Sequence, residues 1–94
     1  QENCEGKIVD IITKHIGKVD FIIINPGALT HYSYVLRDCI KGCGIPAVEV
    51  HLSDITKREA FRKKSVIKDV CIAQIYGKGI NSYLEAIDIC ISEK

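Results

Sequence analysis

Apolar residues recur at helical spacing in three stretches of the chain. In the first, isoleucines three or four positions apart predict an amphipathic helix over residues 6–16, with Gly17 as its C-terminal stop. The second helix follows Thr30, a candidate N-cap, and ends at Gly42 and Gly44. The third begins at residues 82–85, which have the spacing of a capping box. The apolar side of the second helix is predicted to contain Val35, Leu36, Cys39 and Ile40, and that of the third Leu84, Ile87 and Ile91.

Three short runs have the composition of buried β-strands. They cover residues 19–24, 47–52 and 70–76, and the first is almost entirely apolar with many β-branched residues. Such continuous apolar runs are typical of strands that are covered on both faces, as in a parallel sheet. The basic residues 57–64, between the second and third strands, are predicted to be irregular.

The alternation of helices and strands predicts the fold class. Strands joined by right-handed helical crossovers lie parallel, with helices on both faces of the sheet. We therefore expect an open α/β sheet in three layers, formed by one domain over residues 1–94. In such folds ligands bind outside the carboxyl ends of the strands.

Charge and cysteine content narrow the class of protein. With 13 basic and 12 acidic residues in 94, the net charge of +1 gives no support for binding to nucleic acid or to an anionic membrane. We expect a small molecule or a second copy of the chain as partner. Five cysteines without a Cys-x-x-Cys pair indicate reduced thiols in a cytoplasmic protein, and neither a disulfide framework nor a zinc site. Neither a membrane span nor a signal peptide is visible.

Polar residues close the first two predicted strands. Asn25 ends the first, while Glu49, His51 and Ser53 end the second. Side chains two apart on a strand share a face, so Glu49 and His51 are expected to lie together, and a carboxylate there can hold the tautomer of a proton-donating histidine. Taken alone, the pair fits an ordinary buried ion pair equally well. Its place at the ligand-binding edge favours the functional interpretation.

Four blocks of sequence resemble type II 3-dehydroquinate dehydratase. They are NPGALTH at residues 25–31, LRD at 36–38, VEVHLS at 48–53 and RExFRxxS at 58–65. The blocks occur in the order and spacing of that family, and the resemblance extends from residues 4–6 to the helix around residues 83–84. The family has a flavodoxin-like sheet, which agrees with the predicted fold class. Its subunits assemble into trimers and then dodecamers.

The resemblance implies a lyase of the shikimate pathway, which leads to chorismate and the aromatic amino acids. The reaction is the anti elimination of water from 3-dehydroquinate to give 3-dehydroshikimate through an enolate, with no metal or organic cofactor. In the family a tyrosine, activated by an arginine, removes the proton next to the ketone. None of the four tyrosines here matches that base.

The resemblance also assigns roles to residues of this chain. It implies that His51 is the general acid, that Glu49 supports it, and that Asn25 holds the substrate or a water at the enolate oxygen. Leu52 and Ser53 would bind the substrate carboxylate, and Asp38 would reach the site of a neighbouring subunit. The implied substrate-binding residues are Asn25, Gly27, His31, Asp38, Leu52, Ser53 and Arg62.

Outside the family context these residues have ordinary explanations. His31 reads as an exposed residue of a first helical turn, Arg62 as part of a solvated basic cluster and Asp38 as surface charge. Ser53 is typical of a turn. The resemblance favours function for Arg62, Asp38 and Ser53, whereas Arg37 and Lys57 stay closer to ordinary surface charges.

The chain departs from the family pattern before residue 1. The family begins with a strand, a mobile loop carrying the essential arginine and tyrosine, a helix and a second strand, none of which is present here. We therefore expect the C-terminal two-thirds of a subunit, with the N-terminal part missing. The alternative is a truncated, non-catalytic module that binds ligand or takes part in assembly. An unrelated flavodoxin-like domain that binds a phosphorylated ligand is a remoter option, because no Gly-rich phosphate loop follows a strand.

Overall fold

A computed structural model describes residues 1–57, 59 and 64–93. Within these residues there are three helices, α1 (Glu5–Lys14), α2 (Tyr34–Cys43) and α3 (Asn81–Ser92), and three strands, β1 (Ile22–Ile24), β2 (Ala47–Val50) and β3 (Ala73–Ile75). Short 3-10 helices lie at Gly27–His31, Ile55–Lys57 and Lys68–Val70. In the ranges that the structure describes, no helix has the length and apolar content needed to cross a membrane.

The three strands form one parallel sheet in the order β1-β2-β3. Ile24 lies opposite Glu49, and Glu49 lies opposite Gln74, so the register places all three strand ends at one edge. This arrangement confirms the prediction of a parallel α/β sheet.

Both faces of the sheet are covered. Helices α1 and α2 pack on one face through Ile12, Leu36 and Ile40, which meet Ala47 of β2. Helix α3 covers the other face, where Ala86 and Cys90 pack near Val48 and Val50. Alternate residues of β2 therefore face opposite cores, and burial of each large aliphatic side chain contributes about 1.5–3 kcal/mol.

The strands are shorter than the apolar runs predicted. Pairing of β1 begins where the Ile22 N–H donates to the Pro46 carbonyl at 2.9 Å, while Val19 remains exposed. Strand β1 is only partly buried, although its composition predicted cover on both faces. Strand β3 begins at Ala73, because Val70 instead belongs to the short helix Lys68–Val70, where its N–H donates to the Ile67 carbonyl.

The N-cap of α2 is Ser33, and the prediction of Thr30 in that role was wrong. The Ser33 hydroxyl accepts from the Leu36 N–H at 3.0 Å and donates to the Glu5 carboxylate, so it also joins α1 to α2. At the other end, Gly44 closes the helix with a φ of +73°, a left-handed conformation that favours glycine. Two further details differ from the prediction, since Gly42 lies inside α2 and Val35 is exposed.

We expect Ser33→Ala to lower the free energy of unfolding by about 1 kcal/mol, because the substitution removes the cap of α2. Urea denaturation followed by circular dichroism measures this change. Ser92→Ala is the matched control, since the Ser92 hydroxyl bonds the Ile89 carbonyl at the exposed end of α3. Equal midpoints for Ser33→Ala and Ser92→Ala would contradict the assignment of the cap.

Helix α3 has no capping box, contrary to the prediction. Ser82 lies inside the helix, where it is buried and its hydroxyl donates to the His51 carbonyl at 3.3 Å. Glu85 forms an ion pair with Lys78 at the surface instead of reaching back to the helix start. The short serine therefore joins α3 to the end of β2.

The predicted apolar face of α3 is exposed. The fully buried side chains of the helix are Ser82, Ala86 and Cys90, which are spaced four residues apart on one side. Their small size lets the helix lie close to the strands. The partly buried Tyr83 and Ile89 pack against the same core. Four other large apolar residues lie on the adjacent side and are exposed, namely Ile80, Leu84, Ile87 and Ile91.

All five cysteines lie in the described residues, and none is in a disulfide. Cys4 is exposed, Cys90 is buried, and the other three are partly buried. Burial and the nearby charge of Glu49 raise the pKa of Cys71 to about 12, so this thiol stays protonated near neutral pH.

Candidate active site

The carboxyl ends of β1 and β2 bring the predicted polar residues to one edge of the sheet. Asn25 directly follows β1, and His51 directly follows β2. The strands are parallel and Ile24 lies opposite Glu49, so Asn25 and His51 come at the same end of neighbouring strands. This is the edge at which open α/β sheets bind ligands.

Glu49 and His51 form a buried pair, which confirms that they share a side of β2. His51 Nε2 is hydrogen bonded to Glu49 Oε2, and the two residues are 5% and 0% exposed. The backbone of His51 is held on both sides, because its N–H donates to the Ile75 carbonyl at 2.8 Å and its carbonyl accepts from Ser82. The imidazole is therefore fixed at the end of the sheet, with Nε2 towards the carboxylate.

Three further side chains donate to the Glu49 carboxylate. Thr30 Oγ1 lies 2.7 Å from Oε2, Ser65 Oγ 2.9 Å from Oε1, and Gln74 Nε2 3.0 Å from Oε2. Burial would raise the pKa of Glu49, but the hydrogen bonds from His51, Thr30, Gln74 and Ser65 outweigh it and hold this pKa below its ordinary value. Glu49 is therefore an ionised carboxylate inside the protein.

Sequence reasoning gave none of these three donors a role at the site. Thr30 was assigned to a helix cap, and Ser65 appeared only as the last residue of a sequence block. A signal was present for Gln74, which is a polar residue in an otherwise apolar run and occupies the register position opposite Glu49. A buried carboxylate requires such partners.

Asn25 and Gly27 form the turn that follows β1. Asn25 Oδ1 accepts from the Gly27 N–H at 3.2 Å, and Gly27 has a φ of +57°, which glycine adopts without strain. An open cleft of about 730 Å³ lies over this turn and is also lined by Leu29, Tyr32 and Tyr83. As far as the described residues show, the Asn25 amide nitrogen is the part of the side chain left for a ligand.

His31 is held in place instead of being a free surface residue. Its Nδ1 lies 2.7 Å from the Lys64 carbonyl, and the side chain is partly buried. Because a carbonyl only accepts, Nδ1 carries the hydrogen and Nε2 is the nitrogen left for another group.

The remaining predicted site residues are less closely connected with His51. Leu52 and Ser53 directly follow His51 and are exposed, and the Leu52 carbonyl accepts from the Gly79 N–H at 3.0 Å. Asp38 is exposed on α2, and among the described residues no hydrogen bond joins it to the strand ends. Arg62 lies outside the described residues.

Arg37 has a structural position, in line with its interpretation as an ordinary charge. Its guanidinium forms an ion pair with Asp69 and donates to the Val66 carbonyl at 2.8 Å, which joins α2 to the segment before β3. The hydrogen bond from Arg37 holds the pKa of Asp69 below its usual value.

Within the ranges described, no three His, Cys, Asp or Glu side chains come together in a way that would hold a metal ion.

Comparison with known proteins identifies the relatives of this chain. The family model described as dehydroquinase class II matches residues 1–91. The 3-dehydroquinate dehydratase of Caldicellulosiruptor saccharolyticus is 54% identical over 88 residues, which cover 93% of this chain and 61% of the relative. The 3-dehydroquinate dehydratase of Lachnoclostridium phytofermentans is 52% identical over 93 residues, covering 98% and 64%.

Solved structures give the same result for the fold. A type II dehydroquinase from Butyrivibrio crossotus has a TM-score of 0.94 and 45% identity, and the match covers 97% of this chain and 64% of that one. A second, from Propionibacterium acnes, has a TM-score of 0.88 and 29% identity over 95% and 61%. The fold is thus the expected flavodoxin-like α/β sheet, and the chain spans about three fifths of the length of these relatives. The protein belongs to the class II dehydroquinase family.

Proposed function

We propose that this chain forms most of the active site of a 3-dehydroquinate dehydratase, a hydro-lyase that removes water from 3-dehydroquinate in an anti elimination. The product is 3-dehydroshikimate, an intermediate on the route to chorismate and the aromatic amino acids. The observation that carries the proposal is the buried Glu49–His51 pair at the carboxyl end of β2. The family and the names of the relatives support it.

In this proposal His51 protonates the departing hydroxyl. A base removes the proton next to the ketone, an enolate forms, and the carbon–oxygen bond then breaks as the hydroxyl takes a proton from His51 and leaves as water. Glu49 stabilises the imidazolium before transfer, because it is ionised and bonded to Nε2. No metal or organic cofactor takes part.

Asn25 is proposed to stabilise the enolate oxygen, directly or through a water. A positioned donor at a developing negative charge contributes about 3–4 kcal/mol to transition-state stabilisation. The turn at Asn25 and Gly27 gives the substrate close access to the backbone. The other proposed substrate contacts are those of His31 and Arg62 with hydroxyls, of Leu52 and Ser53 with the carboxylate, and of Asp38 with a substrate in a neighbouring subunit.

The base is proposed to belong to polypeptide outside these 94 residues. The chain would then be a single α/β domain that corresponds to the C-terminal two-thirds of a subunit. Its coverage of 61% of a curated relative supports this proposal.

We also propose that the protein assembles into trimers and then a dodecamer in the cytoplasm. Two features support assembly. The apolar side of α3 is exposed over Ile80, Leu84 and Ile91, and a surface of this kind is typical of contact with further polypeptide. Asp38 lies on the exposed side of α2, where it can reach a neighbour. Light scattering after gel filtration measures the mass of the assembly.

The test of function is the rise in absorbance of the conjugated product after 3-dehydroquinate is added. Two proteins are compared, namely the 94-residue chain and the same chain preceded by the segment of the Butyrivibrio crossotus dehydroquinase that it does not match. We expect turnover by the joined protein and none by the chain alone. A joined protein that is folded and bound to substrate but inactive would contradict the proposed function.

A second candidate function is a non-catalytic module that binds the same ligand. The observation that favours it is the coverage of about three fifths of the relatives. Under this alternative, 3-dehydroshikimate shifts the amide NMR signals of Asn25, His31 and Leu52, while no form of the protein that occurs in the cell turns over substrate.

A further inference from the structure

The carboxylate of Glu49 is surrounded by donors from separate parts of the chain. Thr30 comes from the 3-10 helix after β1, Ser65 from the segment before Lys68–Val70, and Gln74 from β3. His51 approaches from the end of β2 itself. Two carboxylate oxygens have about four acceptor positions, and the four donors equal that number, three of them at Oε2 and one at Oε1.

The direction of the Ser65 hydrogen bond follows from its other partners. Ser65 Oγ accepts from the N–H groups of Ile67 at 3.3 Å and of Lys68 at 3.1 Å. A hydroxyl has two acceptor positions and one hydrogen, so its hydrogen is left for Glu49 Oε1. The Thr30 hydroxyl also donates to the carboxylate, at Glu49 Oε2. The hydroxyl oxygens of Thr30 and Ser65 are 3.1 Å apart. The start of the Lys68–Val70 helix thus fixes the serine as a donor to the carboxylate.

Because the groups around the Glu49 carboxylate donate hydrogen bonds to it, the carboxylate determines which nitrogen of His51 carries hydrogen. If Glu49 were protonated, one of these donors would lose its acceptor inside the protein, at a cost of about 1–3 kcal/mol. The ionised form therefore prevails, and Nε2 of His51 must carry the hydrogen that points to it. Nδ1 is then the nitrogen that takes up and releases a proton.

We propose that Thr30, Ser65 and Gln74 are positioning residues, which hold Glu49 as an acceptor-only carboxylate so that His51 keeps hydrogen on Nε2 and exchanges its proton at Nδ1. The catalytic part of this proposal rests on the proposed function. The hydrogen-bond arrangement itself is tested without turnover. The titratable groups that face Glu49 from the described elements are His51 and Cys71, and the thiol of Cys71 is uncharged near neutral pH.

The first measurement is the tautomer of each histidine in the 94-residue chain, from the ¹⁵N shifts of the ring nitrogens above the range in which imidazole titrates. We expect His51 to carry hydrogen on Nε2. His15 and His31 are internal controls with the opposite expectation, because their Nδ1 atoms each lie 2.7 Å from a backbone carbonyl. His51 with hydrogen on Nδ1, or with a mixture of both forms, would overturn the proposal.

The second measurement is the pKa of Glu49, followed by ¹³C NMR of its carboxyl group. In the wild-type chain we expect this pKa to lie below the ordinary value of 4.5. Thr30→Val and Ser65→Ala each remove one hydroxyl donor, so each variant is expected to raise the Glu49 pKa. Thr30→Ser keeps the hydroxyl and is expected to retain the wild-type titration. A Glu49 pKa that is unchanged in both folded variants would overturn the role of the donors.

The third measurement uses the joined protein described above. Residues that orient a metal-bound histidine contribute roughly 10–100-fold to activity, and we expect the residues that orient Glu49 and His51 to act in the same way. Thr30→Val is therefore expected to lower kcat by about 10-fold while KM stays within about 2-fold, and Thr30→Ser is expected to restore kcat. An equal kcat for Thr30→Val and wild type would overturn the positioning role. If wild type itself shows no turnover, the proposed function fails, and the two NMR measurements still decide the hydrogen-bond arrangement.

Discussion

Replacing His51 with alanine is expected to slow turnover of 3-dehydroquinate by about 10²–10⁴-fold, the usual contribution of a general acid. Without the imidazole, the hydroxyl must leave without a proton from the protein. The substitution removes a side chain that is only 5% exposed but leaves Asn25 and Gly27 in place, so product binding should change little. The measurements are kcat from product absorbance in the joined protein and the Kd of 3-dehydroshikimate from calorimetry.

The matched control for this prediction is His15→Ala. His15 lies at the end of α1, where its ring bonds the Ile11 carbonyl, and among the described residues no hydrogen bond joins it to Asn25 or His51. Its kcat should equal that of wild type. Normal turnover in His51→Ala, with His15→Ala behaving in the same way, would show that another group supplies the proton.

Replacing Glu49 with alanine is expected to lower the free energy of unfolding by about 3–5 kcal/mol, the usual effect of removing one partner of a buried charged pair. The side chain is 0% exposed, and its loss leaves four donors facing a cavity without an acceptor. Equilibrium denaturation in urea at neutral pH measures the change. Loss of folding at room temperature would be an extreme form of the same result.

Glu85→Ala is the matched control for the loss of a carboxylate. Glu85 pairs with Lys78 at the surface, and exposed pairs of this kind contribute about 0–1 kcal/mol. A Glu49→Ala variant that is no less stable than Glu85→Ala would contradict the account of Glu49 as a buried ion with essential partners.

The pH dependence of stability gives an independent check on Glu49. Its pKa is lower in the folded chain than its ordinary value of 4.5, so the folded state binds fewer protons than the unfolded state in this range. Its stabilising effect is complete above the unfolded pKa and is lost as pH falls through the folded pKa. The Glu49→Gln variant, which cannot ionise, should lack this part of the acid destabilisation.

The sequence was sufficient to predict the pairing of Glu49 with His51. Alternation along a strand is a property of the extended backbone and does not depend on what packs against it. The same holds for the edge at which both Asn25 and His51 lie, because parallel strands bring their carboxyl ends together. Local geometry is therefore enough to place the centre of the candidate site.

The surroundings of that pair could not be predicted in the same way. Thr30 and Ser33 are both good N-cap residues, and nothing near them in sequence shows which one begins α2. The start of α2 depends on Glu49, which lies 19 positions from Thr30 and accepts a hydrogen bond from the threonine hydroxyl. When the start of a helix depends on contacts between residues that are distant in sequence, local sequence rules cannot predict it.

Helix α3 shows a second limit of pattern reasoning. Periodicity finds the largest apolar residues, here Leu84, Ile87 and Ile91, and predicts that they face the sheet. In the structure the residues of α3 that are fully buried are Ser82, Ala86 and Cys90, whose small side chains allow close contact, and Tyr83 and Ile89 pack beside them. Hydrophobicity alone does not measure how near two elements can approach.

The cysteines give the chain a built-in site for selective chemical labelling. Burial raises the pKa values of Cys39, Cys71 and Cys90, which suppresses their reactive thiolate form. Cys43 is partly buried with its Sγ bonded to the Ile40 carbonyl, whereas Cys4 is exposed. Cys4 also occupies the N-cap position of α1. A maleimide fluorophore therefore attaches first at the start of that helix, where its emission reports directly on the surroundings of the N-terminal residues.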